Sequence, residues 1–234
     1  MTPRSKVLEN EEVLEKIRFA LVHKCPCSIV RIGDGENHVL AQNSVWSMKK
    51  LLKEGWVTQA NKGVKGVNFP NLLLRDQMLE AIKKADVVGI LKPNDKIILA
   101  PKRIKRELTD KIFAHYKLMP PVTCDALVFR ALVNEPAFWK LLRGKRVLLI
   151  TRNVTEVAAL LGKRPYKLSI SLKLYFDHYD QMEETLKKIS IHKDQFDIAL
   201  IACGVNAVIL AQKVAELSGK VGIDIGKAVT KYIQ

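Results

Sequence analysis

The sequence predicts an α/β fold: a Rossmann-like, three-layer arrangement of mostly parallel strands with helices on both faces. Three observations predict it. From Lys145 onward, short apolar runs alternate with amphipathic helical patterns. Strands that alternate with helices pair in parallel through right-handed crossovers. Ser28 to Ile32 is a short β-branched run that ends in Gly33-Asp34-Gly35-Glu36, and Val87 to Leu91 is a second compact apolar run. Runs of this length bounded by turn residues read as buried strands.

The elements follow in order. Asn10 is a suitable N-cap, with Val13, Ile17, Ala20 and Leu21 at helical spacing behind it. That helix stops before Pro26. After the strand at 28–32, a short helix runs past Gly35 through His38 to Ala41, its N-terminus aiming free N–H groups at whatever Asp34 and Glu36 bind. Ser44 caps a further helix through Leu51 and Leu52, ended by Gly55. Gly63 to Pro70 reads as a loop, and Asn71 caps a helix with Leu74, Met78 and Ile82 on one face. Ile97 to Met119 contains a basic amphipathic helix, broken by Pro120-Pro121. Thr123 or Asp125 caps another with Leu127, Phe129, Arg130 and Leu132, and Pro136 starts a short one stopped by Gly144. The regular part then reads strand 146–150, helix 154–161, strand 168–174, helix 181–189, strand 198–202, helix 205–217 and strand 221–225. The chain is expected to be one domain over 1–234, with a helical subdomain at about 92–138.

Composition narrows the class. Of 234 residues, 48% are hydrophobic, so a full core can form. No apolar run approaches the roughly 20 residues needed to span a bilayer, and the first ten residues lack the apolar centre of a signal peptide. A cytoplasmic location is the expectation. Cys25, Cys27, Cys124 and Cys203 show neither a zinc spacing nor a disulfide framework. The formal charge of +15 attracts anions: nucleotide phosphates, acidic glycans, an anionic membrane surface or nucleic acid. Lys102-Arg103-Ile104-Lys105-Arg106 is the densest cluster, but no nucleic-acid-binding motif accompanies it, and no specific nucleic acid is expected.

Four strand ends could carry chemistry. At the first, Asp34 and Glu36 lie two apart, so an extended backbone would point both carboxylates the same way. Two convergent carboxylates suit Mg²⁺ or Mn²⁺, and that cation suits phosphate oxygens. Asp-Gly is equally at home in a hairpin turn. Gly33 and Gly35 permit a sharp turn and close approach of a ligand. Arg31, inside the strand pattern, needs a partner, which is a ligand phosphate or an acidic side chain of the fold. At the second, Gly204 in Cys203-Gly204-Val205-Asn206 lets a ligand approach a helix N-terminus, or simply makes a tight turn, and Asn206 is a candidate contact. At the third, Asp224 lies in the apolar terminal strand, where a carboxylate is costly unless paired. It is a candidate base or hydroxyl ligand, with a turn role as the alternative. At the fourth, Arg152 follows a strand and either faces phosphate or lies in a cap. The histidines show no metal-ligand spacing.

Together these residues resemble the bacterial glycosyltransferases of the GT-D fold, first catalogued as a domain of unknown function, which have an R-F-G-D-G-E stretch near the N-terminus. Here it reads Arg31-Ile32-Gly33-Asp34-Gly35-Glu36. Their C-terminal Gly-x-x-Ala turn, Leu-Ala helix and Gly-x-x-Ile-Asp-Ile-Gly ending look like Gly204 to Ala207, Leu210-Ala211 and Gly219 to Gly226. The likeness spans most of the chain, with its specific motifs at the two ends. It implies a Rossmann-like GT-D fold and transfer of a sugar from a nucleotide-sugar donor such as UDP-glucose to a glycan or glycoprotein acceptor. It also implies that Asp34 and Glu36, as the D-x-E pair, help to hold metal and donor. Ile32 replaces the usual aromatic residue, Val205-Asn206 stands where Pro-Thr is common, and Lys227 follows Gly226 where His is frequent. Two other classes compete. One is a basic protein that binds nucleic acid or an anionic surface, and the other is a different metal-dependent nucleotide enzyme, such as a phosphohydrolase.

Overall fold

The structure is a computed structural model and describes residues 5–229. Its elements are β1 (Lys6–Leu8), α1 (Asn10–His23), β2 (Cys27–Ile32), α2 (Asp34–Leu40), α3 (Met48–Leu51), α4 (Gly55–Ala60), α5 (Leu72–Lys84) and β3 (Val87–Ile90). There follow α6 (Arg106–Tyr116), β4 (Val122–Asp125), α7 (Val128–Leu132), α8 (Pro136–Leu142), β5 (Arg146–Thr151), α9 (Val154–Gly162), β6 (Ser169–Tyr175), α10 (Met182–Ile191), β7 (Ile198–Ala202), α11 (Ala207–Ser218) and β8 (Val221–Asp224). The strands form one eight-stranded sheet in the order β1-β4-β3-β2-β8-β7-β5-β6. Every pair in it is parallel.

Alternation along the strands divides the core. Val30, Ile32, Val88, Leu148, Ile150 and Ile201 join one apolar layer with α2 to α6, α10 and α11. Cys27, Ile29, Val87, Val147, Leu149 and Ile223 join the other with α1 and α7 to α9. Successive side chains of a strand point to opposite faces, so both faces of these strands are apolar and both are covered. Each connection that steps toward β1 passes through the first layer, and each that steps toward β6 passes through the second. All crossovers therefore share one hand, as right-twisted parallel strands require.

Several local expectations are corrected. The cap of α1 falls at Glu9, whose N–H donates to Glu12 Oε2 at 3.0 Å, and not at Asn10. Ser47, not Ser44, caps α3, and Gly55 opens α4 where a stop was expected. Thr123 and Asp125 are strand residues of β4 rather than helix caps. That strand lies between β1 and β3, so the 92–138 stretch expected as a helical subdomain contributes to the common sheet. The physical reason is length: four residues beside Pro120-Pro121 give too short a period-2 pattern to read, and pairing with β3 and β1 decides their conformation. Asn71 does cap α5, its side chain accepting from the Leu74 N–H at 2.8 Å.

After β2 the chain turns into the first layer, whereas after β8 it turns into the second, through Ala228 and Val229. These two strands are neighbours. Their carboxyl ends therefore flank a crevice of the kind in which open α/β sheets hold ligands.

Candidate functional site

Arg31 is the penultimate residue of β2, and its guanidinium reaches the end of β8. Nε donates to the Asp224 carbonyl at 2.7 Å, Nη2 to Asp224 Oδ1 at 2.8 Å and Nη1 to the Ala126 carbonyl at 3.1 Å. Asp224 is 1% exposed, and its Oδ1 also accepts the Gly226 N–H at 3.1 Å. Burial opposes the charge on Arg31, but the Asp224 carboxylate outweighs it and raises the guanidinium above its ordinary value. Of the two partners the sequence allowed for Arg31, the structure supplies the acidic side chain of the fold. Gly226 is fitted to this pair. Its φ is +53°, and a Cβ there would stand 1.9 Å from Arg31 Nη2.

Asp34 and Glu36 do not lie on extended backbone. They occupy the first turn of α2, where residues two apart diverge by about 200° around the axis. The extended-backbone argument for their convergence therefore does not apply. Glu36 folds back, and its Oε2 accepts the Gly33 N–H at 2.8 Å. One of the N–H groups expected to face a ligand is therefore already taken. Burial pushes the Glu36 carboxyl up to about 7, and the nearby Asp224 and Asp34 charges push the same way. Asp34 is half-buried and has no side-chain hydrogen bond or ion pair among the described residues. It is the uncommitted carboxylate of the crevice.

The raised Glu36 carboxyl predicts a pH dependence. Folded Glu36 keeps its proton up to about pH 7, whereas the unfolded chain releases it near 4.5. The folded state then binds more protons between those values, so its contribution is complete below the lower one and is lost as pH rises through the upper. Thermal melting of Glu36→Gln against wild type between them should show a downward slope with pH in wild type that the variant lacks. Parallel curves would contradict the assignment.

Glycines beside the crevice serve close packing and a turn. Gly35 is buried, and a Cβ there would lie 2.8 Å from the Trp56 ring and 3.1 Å from Val205. Gly204 is exposed with φ +59°, at the turn between β7 and α11. Asn206 is fully buried, and its Nδ2 donates to the Gly66 carbonyl at 2.9 Å. The same carbonyl accepts the Tyr179 N–H at 2.9 Å, so the 63–70 loop is fastened to the turns after β7 and β6. Arg152 is half-exposed at the end of β5, with Nε 4.0 Å from Asp177 Oδ2. Three strand spacings, roughly 14 Å, separate β5 from β2. Arg31, Gly33, Asp34, Gly35, Glu36, Gly204, Asn206 and Asp224 are thus gathered at one end of the sheet, with Arg152 farther along the same edge.

Sequence reasoning assigned nothing to His38, yet its ring lies beneath Asp34. It is fully buried, Nδ1 is 2.6 Å from the Asp34 carbonyl, and the ring stacks on Trp56 with centroids 5.2 Å apart. Burial lowers its pKa, which keeps the imidazole neutral. The available signal was the four-residue spacing from Asp34, one helical turn. Asp177 was missed for a different reason: its place opposite Arg152 depends on the sheet.

The D-x-E pair can be tested against a divalent cation. Among the described residues no group of three or more His, Cys, Asp or Glu side chains is arranged to hold a metal. Mg²⁺, however, is commonly held by one or two carboxylates together with substrate phosphates. Asp34 fits that mode, and Glu36, whose Oε2 is held by the Gly33 N–H, has its second carboxylate oxygen for the same ion. A separate cavity of about 250 Å³ at the opposite edge of the sheet is lined by Lys24, Lys145 and Lys220. It adjoins the C-termini of α1 and α11, whose negative dipole ends these lysines offset, so it is a poor anion site.

A family model for the GT-D fold-like domain matches residues 8–232. A solved structure of a domain of unknown function (DUF1792) superposes with a TM-score of 0.63 at 18% identity, over 99% of this chain and 81% of that one. None of the curated proteins matches. No helix among the described residues is long and apolar enough to cross a membrane. The all-parallel α/β sheet, the Arg31-to-Glu36 turn at its carboxyl edge and the match over nearly the whole chain lead to one assignment: this chain belongs to the GT-D-like family.

Proposed function

We propose that the chain is a glycosyltransferase that moves a sugar from a nucleotide-sugar donor, a UDP-sugar such as UDP-glucose, to a glycan or glycoprotein acceptor. Its family membership supports the class of reaction, and one observation supports the site. Among the described residues Asp34 is the carboxylate without a partner at the crevice between β2 and β8, while Arg31, Asp224 and Glu36 around it are committed to one another or to backbone. An unpaired carboxylate at the carboxyl edge of an α/β sheet is placed to serve a ligand.

The residues then divide the work. Asp34, with the donor's own phosphates, would hold Mn²⁺ or Mg²⁺. When bound, the ion supplies neutralisation of the charge that develops on the departing diphosphate. Arg31 and Asp224 act as a brace: their hydrogen bonds hold the ends of β2 and β8 together beneath Asp34. Asp224 is closed to solvent, which favours this bracing role over direct proton transfer. Glu36, half ionised near neutral pH, holds the turn by its bond to Gly33 and is the nearest group able to exchange a proton. Gly204 leaves room for donor oxygens beside the α11 N-terminus, and Asn206 keeps the 63–70 loop against that turn to exclude water.

Asp34→Ala tests the assignment. UDP-glucose and related donors are titrated with and without Mn²⁺ by calorimetry, and sugar transfer and free-sugar release are followed separately. The variant should lose donor binding or turnover by about a hundredfold, equivalent to a few kcal/mol, while melting like wild type. Binding and turnover indistinguishable from wild type would remove the central assignment. Release of phosphate without sugar transfer would point instead to a phosphohydrolase.

A further inference from the structure

We propose that the loop from Lys92 to Arg103 is a docking tip for an anionic lipid bilayer. It follows β3 at the same edge of the sheet as Asp34. Leu99 is 99% exposed and Ile97 is 61% exposed. A single exposed leucine is ordinary on a folded surface, but apolar side chains clustered at one tip and rimmed by polar groups mark an interaction site. The two are flanked by Lys96 and Lys102, also exposed, which have no ion pair among the described residues.

The loop is built to present these side chains. Asp95 is its sole acidic residue, and it turns inward. Its Oδ2 accepts Lys105 Nζ at 3.0 Å, and its two carboxylate oxygens accept the Ile97 and Ile98 N–H groups at 3.1 Å each. The base is held by Asn37 of α2, whose Nδ2 donates to the carbonyls of Ile104 at 3.0 Å and Lys105 at 2.9 Å. With its one negative charge consumed inside, the loop shows water cationic and apolar groups and the neutral amide of Asn94, and no anion. Arg103 forms a two-pronged pair with Glu54 at 2.7 and 3.0 Å, which brings the lysine-rich α3 and half-exposed Leu52 beside the tip.

Charge complementarity and the apolar tip together select the occupant. Lysines at a bilayer surface meet anionic headgroups while short apolar side chains enter the interface. A nucleic acid would answer the lysines but would leave Leu99 and Ile97 in water, and the segment from Lys92 to Arg103 has no aromatic residue for bases to stack on. The inference does not depend on the donor chemistry and stands or falls separately.

Co-flotation of the whole protein with vesicles tests it. Wild type should float with phosphatidylglycerol–phosphatidylcholine vesicles, not with phosphatidylcholine alone, and added salt should weaken the association. Ile97→Asp with Leu99→Asp should reduce partitioning at least about tenfold. Lys96→Ala and Lys102→Ala should each reduce it about fivefold. These side chains are exposed, so melting temperatures should stay at the wild-type value. The emission of Leu99→Trp should shift to the blue on addition of anionic vesicles. Unchanged partitioning of the double aspartate variant, or no emission shift, would overturn the proposal. Retention on DNA as strong as on vesicles and insensitive to Leu99 would replace it with a general polyanion surface.

Discussion

A single methyl group at Gly222 is expected to destabilise the protein by about 3–5 kcal/mol, at the upper end of what overpacking costs. Gly222 is in β8, paired with Ser28 of β2 and Ala199 of β7. This row of small residues lets α11 lie close on the sheet. A Cβ on Gly222 would stand 2.2 Å from the Ala211 carbonyl oxygen and 3.0 Å from its carbon. The obstacle is helix backbone, so no side-chain rotation relieves it. Either α11 lifts from β2 and β8 or the strand bends away from its neighbours. Thermal unfolding of Gly222→Ala should fall by about 10 °C or more for a chain of this size. Gly162 is the control. It closes α9 without a positive φ, and nothing lies within 4 Å of a Cβ there. Gly162→Ala should leave stability unchanged or raise it slightly, by about 0.5 kcal/mol. Equal melting temperatures for the two variants would show that α11 can shift freely, contrary to the close packing described.

Asp224→Ala is expected to cost about 3–5 kcal/mol as well, through electrostatics rather than volume. Removing one member of a buried ion pair leaves the other charge without compensation. Arg31 would retain its bonds to the Asp224 and Ala126 carbonyls but lose the only carboxylate within hydrogen-bond distance among the described residues. The second substitution separates this account from simple loss of packing. Arg31→Met in the Asp224→Ala background removes the stranded charge, so the double variant should be more stable than Asp224→Ala alone. Denaturant unfolding of both singles and the double reads the coupling directly. Additive losses would show that the pair contributes no mutual stabilisation.

The same two positions mark where sequence reading succeeds and where it stops. That Arg31 and Asp224 each need a partner follows from charge inside an apolar strand, a local argument. That they are each other's partner does not follow locally, because they lie 193 residues apart in the chain. The long elements were legible because period and caps act within a few residues. Leu74, Met78 and Ile82 behind Asn71 predicted α5, and the observed helix spans Leu72–Lys84. β1 and β4, of three and four residues, escaped because so short a run has no measurable period. At the site, Gly33 to Glu36 was correctly found at a strand end, but its conformation was misjudged. An aspartate and a glutamate two apart look alike in sequence whether the backbone is extended or helical. Glu36 bonding back to Gly33 is the local feature that accompanies the helix.

Taken alone, the sequence determined the alternation of strands and helices, the burial of both strand faces and the placing of Asp34, Gly204 and Asp224 at strand ends, because these depend on neighbours within one or two turns. Only the tertiary structure decided the strand order that sets β2 against β8, the pairing of Arg31 with Asp224, the release of Asp34 as the one carboxylate beside them left uncommitted among the described residues and the stacking of His38 beneath it. The reason is physical: a charge or a polar group is assigned its partner by what packing brings within about 3 Å, and hydrogen-bond distance has no representation in sequence separation.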